Sequence, residues 1–239
     1  MKIKNPPIHL GLIPDGNRRC AKRLLKQPWK GHEWGISKIK TVFEWCRELG
    51  IKTITFYALS LENMDKRPKR ELDFLFNLAR KETRDILENN ENFVHKYKIR
   101  VRFIGRLKRL PGDLQENMKK IEKMTKDYKN YIINFAIAYG GRQEMVDACR
   151  TIAFNVAKGR LKPSAITESV IKHNLYTNGG TDPDLIIRTG GEKRLSNFLL
   201  FQSAYSEFAF IDSFWPNLKK KEFVSAIKDF SCRERRFGK

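Results

Sequence analysis

The chain has 239 residues, 41% of them hydrophobic, and 48 Lys and Arg against 27 Asp and Glu give a net charge of +21. That length suits one large α/β domain, and the apolar runs fall far short of the roughly 20 residues of a membrane-spanning helix. Cys20, Cys46, Cys149 and Cys232 are scattered without a CxxC pair, which argues against a zinc site or a disulfide framework and for a reducing compartment. The start, Met1 to Pro7, lacks the apolar stretch of a signal peptide, so a cytoplasmic location is expected. The positive balance attracts nucleic acid, anionic lipid or anionic metabolites. Lysine is spread along the whole chain, however, and no nucleic-acid reading module is present, so a nucleic-acid partner is not expected.

Leu10 to Ile13 is a short apolar run that ends in Pro14-Asp15-Gly16-Asn17, followed by a basic, helix-permissive stretch from Arg18 to Lys26. This reads as a buried strand, a turn and a helix. Asp15 then sits at the strand's C-terminal end, the edge where open parallel sheets bind ligands. One acid among arginines suits a magnesium-bound diphosphate, with a hard oxygen for the metal and guanidinium forks for the phosphate. An ordinary corner with a capping Asp would carry the same residues.

His32 to Gly50 has helical spacing at Ile36, Ile39, Val42, Phe43, Cys46 and Leu49. Ile51 to Leu59 is β-branched and aromatic, a second strand, and ends in the polar cluster Ser60-Leu61-Glu62-Asn63. Pro68 to Glu88 reads as a helix with a wide apolar stripe through Leu72, Leu75, Phe76, Ala79, Ile86 and Leu87. Such a stripe faces a core, or lines an apolar channel on one side. Lys98 to Ile104 alternates as a strand, Leu114 to Tyr128 is an amphipathic helix, and Tyr131 to Ala138 is a buried strand. Tyr139-Gly140-Gly141-Arg142-Gln143-Glu144 leads into a helix with an apolar set at Met145, Val146, Cys149, Ile152, Ala153 and Val156.

Thr167 caps a short helix towards Leu175, and Asp184 to Ile187 is a short strand. Arg188 to Phe198 then carries two arginines six apart, glycines and a serine, which can surround phosphate oxygens or form a solvated basic loop. Phe198 to Phe214 is rich in aromatics with Glu207 embedded, and a carboxylate in that setting needs an arginine, a hydrogen-bond donor or a metal. Lys221 to Phe230 is a final helix. Strands and helices alternate throughout, which implies a mostly parallel sheet with crossover helices.

Several segments carry a resemblance when read together: His9 to Arg19, Gly31-His32, Tyr57 to Asn63, Tyr139 to Glu144, Asp182 to Glu192, Arg194 to Leu200, and the terminal Arg-Arg-Phe-Gly. In this order the chain resembles the cis-prenyltransferase family, whose best-known members are undecaprenyl diphosphate synthases. The resemblance implies a single catalytic domain over residues 1–239, with about six strands flanked by helices and a hydrophobic tunnel. It implies condensation of isopentenyl diphosphate with an allylic prenyl diphosphate, each new double bond cis, to a precursor of a glycosyl carrier lipid. A short-chain or branched-coupling synthase on the same scaffold is the alternative. A non-catalytic subunit is disfavoured because the acid and the clamp arginines are kept.

By the same resemblance, Asp15 and Glu207 match the magnesium positions. Gly16, Asn17, Arg18 and Arg19 match the loop around the allylic diphosphate, and Arg188, Arg194 and Ser196 the isopentenyl diphosphate clamp. His32, Ser60 and Asn63 match polar residues between the two sites, with Asn63 at the position assigned to proton removal. Cys20, Leu61, Glu62, Met64, Arg67 and Leu195 match further substrate-binding positions. Arg236 and Gly238 match residues that reach a partner subunit's site, so a homodimer is expected. A basic surface and a lipid product are compatible with peripheral membrane contact, without an anchor. Cys20 and Met64 stand where the family has aromatics, Pro28 where it often has an arginine, and Asn63 to Pro68 is one residue longer than common. Arg23 and Lys26 are the candidates for the missing positive charge, and these departures bear on allylic substrate choice more than on reaction class.

Overall fold

A computed structural model of the chain describes residues 3–233. The elements in order are β1 (His9–Ile13), α1 (Asn17–Arg23), α2 (Lys30–Glu48), β2 (Thr53–Ser60), α3 (Leu61–Lys66), α4 (Lys69–Glu88) and α5 (Phe93–Lys96). They continue as β3 (Ile99–Ile104), α6 (Gly112–Thr125), β4 (Tyr131–Tyr139), α7 (Gly141–Ala157), α8 (Glu168–Asn174), β5 (Leu185–Thr189), β6 (Glu207–Ile211) and α9 (Lys220–Cys232). The six strands form one sheet in the order β3-β4-β2-β1-β5-β6, every neighbouring pair parallel. This is the expected single-domain α/β architecture. Among the described residues no helix is long and apolar enough to cross a membrane.

Both faces of the sheet are covered, so the strands read as apolar runs, yet alternation still sorts their side chains. Leu10, Leu12, Ile54, Phe56, Leu185 and Ile187 join the larger core with Phe43, Trp215, Phe223 and Ile227. The alternate residues Ile13, Tyr57 and Ile186 pack on the other face with Tyr139, Phe198 and Leu199. That second face also holds a polar row: His9 Nε2 lies 2.8 Å from Thr55 Oγ1, and Asn134 Nδ2 donates to the same hydroxyl at 2.8 Å.

One local expectation is corrected, and three features go beyond the sequence reading. Helix α1 stops at Arg23, short of Lys26. The polar cluster after β2 is a short helix, α3, whose first turn is capped by Ser60 accepting from the Asn63 N–H at 3.0 Å. The aromatic segment from Phe198 contains the edge strand β6, partly exposed along its length, so it never shows the pattern of a buried strand. The apolar set of α7 does not face the core: Met145, Val146 and Cys149 are exposed, and Ile152 is buried.

Candidate active site

Strand β1 has β2 on one side and β5 on the other: the connection from β1 runs to one side, and the later return from β4 to β5 lands on the other, so the strand order reverses there. A crevice opens at the C-terminal end of such a switch point. Ile13 and Arg188 are register neighbours, which brings Asp15 and Arg188 out side by side. A cavity of about 760 Å³ occupies the crevice. Asp15, Gly16, Asn17, Arg18 and Arg19 line it from one side, Arg188, Arg194 and Ser196 from another. His32, Ser60, Glu62, Asn63 and Arg67 complete it. With Lys22, six cationic side chains face two carboxylates, a balance that suits polyanions.

The turn into α1 depends on glycine at one point. Gly16 has φ +101°, and a Cβ there would lie 2.6 Å from the Phe214 ring. Thr189 fixes the preceding residue: its hydroxyl donates to the Asp15 carbonyl at 2.9 Å, and its oxygen lies 3.0 Å from the Asp15 N–H. The Asp15 carboxylate accepts from Arg188 Nη2 at 2.8 Å, from the Gly16 N–H at 2.6 Å, and pairs with Arg19 Nη2 at 3.2 Å. Burial alone pushes this carboxyl up, but the Arg188 hydrogen bond and the two guanidinium charges outweigh it and hold it below the usual carboxylate range. Arg188 is itself oriented, since Nη1 donates to Ser196 Oγ at 2.8 Å and to the Arg194 carbonyl at 2.5 Å.

A second cluster lies at the start of α4. Glu71 is buried and takes His32 Nε2 at 3.1 Å, Arg67 Nη1 at 3.3 Å and Arg18 Nε at 3.6 Å. Burial, then the Arg67 charge, pushes the His32 pKa down to about 4 against the opposing pull of Glu71, so the ring is neutral at neutral pH. In the Nε2–H tautomer it donates to Glu71. Arg67 Nε and Arg188 Nε are buried and without a hydrogen-bond partner among the described residues.

A family model described as "Putative undecaprenyl diphosphate synthase" matches residues 13–238. The chain belongs to the undecaprenyl diphosphate synthase family. As its relatives are, it is a prenyltransferase. Over 233 residues it is 48% identical to the tritrans,polycis-undecaprenyl-diphosphate synthase (geranylgeranyl-diphosphate specific) of Methanopyrus kandleri, covering 98% of this chain and 85% of that one. It is 44% identical over 237 residues to an isoprenyl transferase of Thermus thermophilus, covering 98% and 89%. The solved structure of lavandulyl diphosphate synthase from Lavandula x intermedia in complex with dimethylallyl diphosphate is similar with a TM-score of 0.90 and 35% identity, covering 98% and 99%.

Five residues that the resemblance assigned to the family's site lie outside the cavity. Cys20 is buried on the inner face of α1, with its thiol 3.6 Å from Asn217 Oδ1. Leu61 and Met64 pack into or against the main core, and Leu195 packs beside the Tyr57 cluster. Glu207 begins β6, opposite Leu185, at the far end of the strands from Asp15. It pairs with Arg233 at 2.7 Å, which meets the carboxylate's need through an arginine, and within one chain it does not share a site with Asp15. Arg23 stacks on Phe214, and neither it nor Lys26 lines the charged cavity, where Lys22 stands instead. Arg236 and Gly238 lie outside the described residues. Glu71 was missed; its one signal is an acid four residues after Arg67, in the first turn of a helix. Lys22 and Asn197 were also missed, and nothing in their spacing marks them.

Behind the charged cavity lie two mostly apolar ones, the larger also lined by Lys40, Glu82, Asp85 and Glu91. A cavity of about 150 Å³ shares Pro14, Asn17, His32, Tyr57 and Ala58 with it. This cavity shares Ile36, Ile39, Ala58, Ala79, Met118 and Ile137 with a further one of about 470 Å³ that reaches Val101, Ile133 and Phe135. Helix α4 forms part of the wall. Leu75, Phe76 and Ala79 are only half-buried, since they line the smaller cavity rather than packed side chains.

Proposed function

We propose that the protein carries out magnesium-dependent cis-prenyl elongation, condensing isopentenyl diphosphate with an allylic prenyl diphosphate into a long cis-polyprenyl diphosphate that serves as a precursor of a glycosyl carrier lipid. The observation that carries this reading is one cavity with six cations that continues into two mostly apolar cavities between the sheet and α2 and α4. A growing hydrocarbon gains about 0.8 kcal/mol per buried CH₂ in such a space. The relative from Methanopyrus kandleri is named as geranylgeranyl-diphosphate specific, so geranylgeranyl diphosphate is our first choice of primer. The likeness to lavandulyl diphosphate synthase favours a second reading, coupling of two short diphosphates. The extent of the apolar space beyond Ala58 weighs against it, because such a coupling needs no long sleeve.

Among the described residues no group of three or more His, Cys, Asp or Glu could cage a metal. A lone, ionised Asp15 instead fits a magnesium ion that arrives on a diphosphate, since that ion keeps water and phosphate oxygens and takes one or two carboxylates. Bound there, magnesium would neutralise charge on the departing diphosphate. In this reading the α1 loop, with Arg18 and Arg19, holds the allylic diphosphate, and Arg188, Arg194 and Ser196 hold isopentenyl diphosphate. Neutral His32 hydrogen-bonds between them without adding charge. Asn63 is an amide and a poor base, so it orients the diphosphate oxygen or water that takes the proton. Holding both reactants in one crevice supplies much of the rate.

A homodimer belongs to the same proposal. The exposed apolar face of α7, with Met145, Val146 and Phe154 each more than 40% exposed, is the surface we assign to the partner copy. The reading is tested with radiolabelled isopentenyl diphosphate and dimethylallyl, farnesyl and geranylgeranyl diphosphates as primers. Long polyprenyl products from the longer primers are expected. A branched product from dimethylallyl diphosphate alone would sink the proposal.

A further inference from the structure

Helix α1 ends on a leucine where the chain elsewhere uses glycine. The Lys26 N–H donates to the Ala21 carbonyl at 3.0 Å, and the Leu25 N–H to the Lys22 carbonyl at 3.0 Å. This pair of bonds is the Schellman motif, which places a left-handed residue just past the helix. The same pair ends α2 at Gly50, φ +81°, and α7 at Gly159, φ +67°. Here Leu25 takes the position at φ +53°. A side chain crowds the following carbonyl in that conformation, so leucine is a poor occupant. Burial does not offset the strain, since Leu25 is 96% exposed and its neighbour Leu24 58%.

The setting of the pair is strongly basic. Residues 17–32 contain six Lys and Arg and no Asp or Glu. Lys22, Arg23, Lys26 and Lys30 are exposed around the leucines. Lys22 and Lys26 make no ion pair among the described residues, while Lys30 pairs with Glu33. Half-buried Trp29 completes the tip, with Arg70 stacked on its ring at 5.2 Å. Lys22 also lines the charged cavity, so the tip stands at its rim.

We propose that Leu24 and Leu25, within their ring of Lys22, Arg23, Lys26 and Lys30, dock this protein on an anionic lipid bilayer and hold the cavity mouth at its surface. Charge selects the occupant. A second copy meeting this tip with its own would bring the same ring of Lys22, Arg23, Lys26 and Lys30 against it and repel. The apolar pair is a protruding tip rather than a groove, and it suits a yielding lipid surface better than a rigid protein pocket. An apolar insertion joined to a basic ring is the two-part signal that gives reversible binding to anionic membranes. The inference rests on this surface and not on the reaction proposed above, and its readout needs no turnover.

The test is flotation of the full chain with vesicles of phosphatidylcholine alone and of equal parts phosphatidylcholine and phosphatidylglycerol, at low and high salt. The wild type is expected on the anionic vesicles, less so at high salt. Leu24→Ser/Leu25→Gly is expected to lower the vesicle partition about tenfold or more. Leu25→Gly alone suits the left-handed position, so it should melt no lower than the wild type while losing part of the binding. It keeps the test valid should the double variant misfold. Turnover with a short, soluble primer should stay at the wild-type level in both. Equal binding by wild type and Leu25→Gly overturns the proposal, as does equal binding to neutral vesicles. A change in oligomeric mass with vesicle binding unchanged overturns it as well, and points to a protein contact.

Discussion

Replacing Asp15 by asparagine separates the role of its charge from its size. Asparagine still accepts from the Gly16 N–H but withdraws the charge 2.8 Å from Arg188 Nη2 and 3.2 Å from Arg19 Nη2. The Arg188 side chain is only 6% exposed, so water cannot replace that partner fully. A hydrogen bond to a charged group is worth about 1.5–3 kcal/mol. Arg188 keeps Ser196 Oγ and the Arg194 carbonyl, and Arg19 is 41% exposed. The loss of stability for Asp15→Asn is therefore expected at the low end, about 1–2 kcal/mol in urea unfolding. Turnover should fall much further, by about 10²–10³-fold, because the carboxylate we assign to magnesium has lost its charge. Diphosphate binding should run the other way. In the presence of a chelator, calorimetry with an unreactive allylic thiolodiphosphate is expected to show affinity equal to or above the wild type, since both arginines are released from an internal competitor. Wild-type turnover would refute the assignment, and so would a loss of diphosphate affinity large enough to explain the loss of rate.

Glu71→Gln keeps an acceptor for His32 but leaves Arg67, 15% exposed, without a counter-charge, so about 2–3 kcal/mol of stability should be lost in denaturant titration; unchanged stability would show that the cluster is not coupled. Ala58 lines all three cavities, so Ala58→Phe is expected to leave the first condensation intact and shift the products to shorter chains on thin-layer chromatography; an unchanged length distribution removes the cavities from the reading. For His32, burial and then Arg67 lower the folded pKa from 6.5 to about 4. The unfolded chain therefore binds the extra proton in that window, so this share of stability is complete above about pH 6.5 and is lost as pH falls towards 4. An NMR titration should find no His32 transition near neutral pH, and a midpoint at the ordinary histidine value would contradict the buried cluster.

Much of this site could be read in the sequence because backbone punctuation marks it. A strand run ending in Pro14-Asp15-Gly16-Asn17 places its acid at a sheet edge by local rules alone, and the short strand read at Asp184 to Ile187 does the same for the guanidinium of Arg188. Sites assembled across elements were less legible. Glu71 gains its meaning from Arg18 and His32, which lie on two other helices. Cys20 sits one residue beyond the residues that turn towards the cavity, and helical phase carries it to the inner face. Glu207 was legible as a carboxylate in need of a partner, but Arg233 on α9 was beyond reach of any local pattern. The apolar set of α7 shows the same limit, because periodicity marks an apolar face without saying whether this chain or another covers it.

The cavity also explains how so many like charges sit together before any substrate binds. Arg19 and Arg188 share Asp15, Arg19 and Arg194 share Glu192, and Arg18 and Arg67 share Glu71. Each carboxylate holds two guanidinium groups, so five arginines are kept in place by three acids. That arrangement fixes the donors ahead of time, which is where electrostatic catalysis draws most of its strength. It also sets an upper limit on affinity, because a phosphate oxygen must compete with a carboxylate for every fork it takes. Glu192 and Asp15 are about a third exposed and can yield, whereas Glu71 is buried and cannot. In the proposed reading, Arg19, Arg188 and Arg194 are the forks that transfer to diphosphate, Arg18 joins them because it is 47% exposed and 3.6 Å from Glu71, and buried Glu71 with Arg67 is the fixed wall behind them.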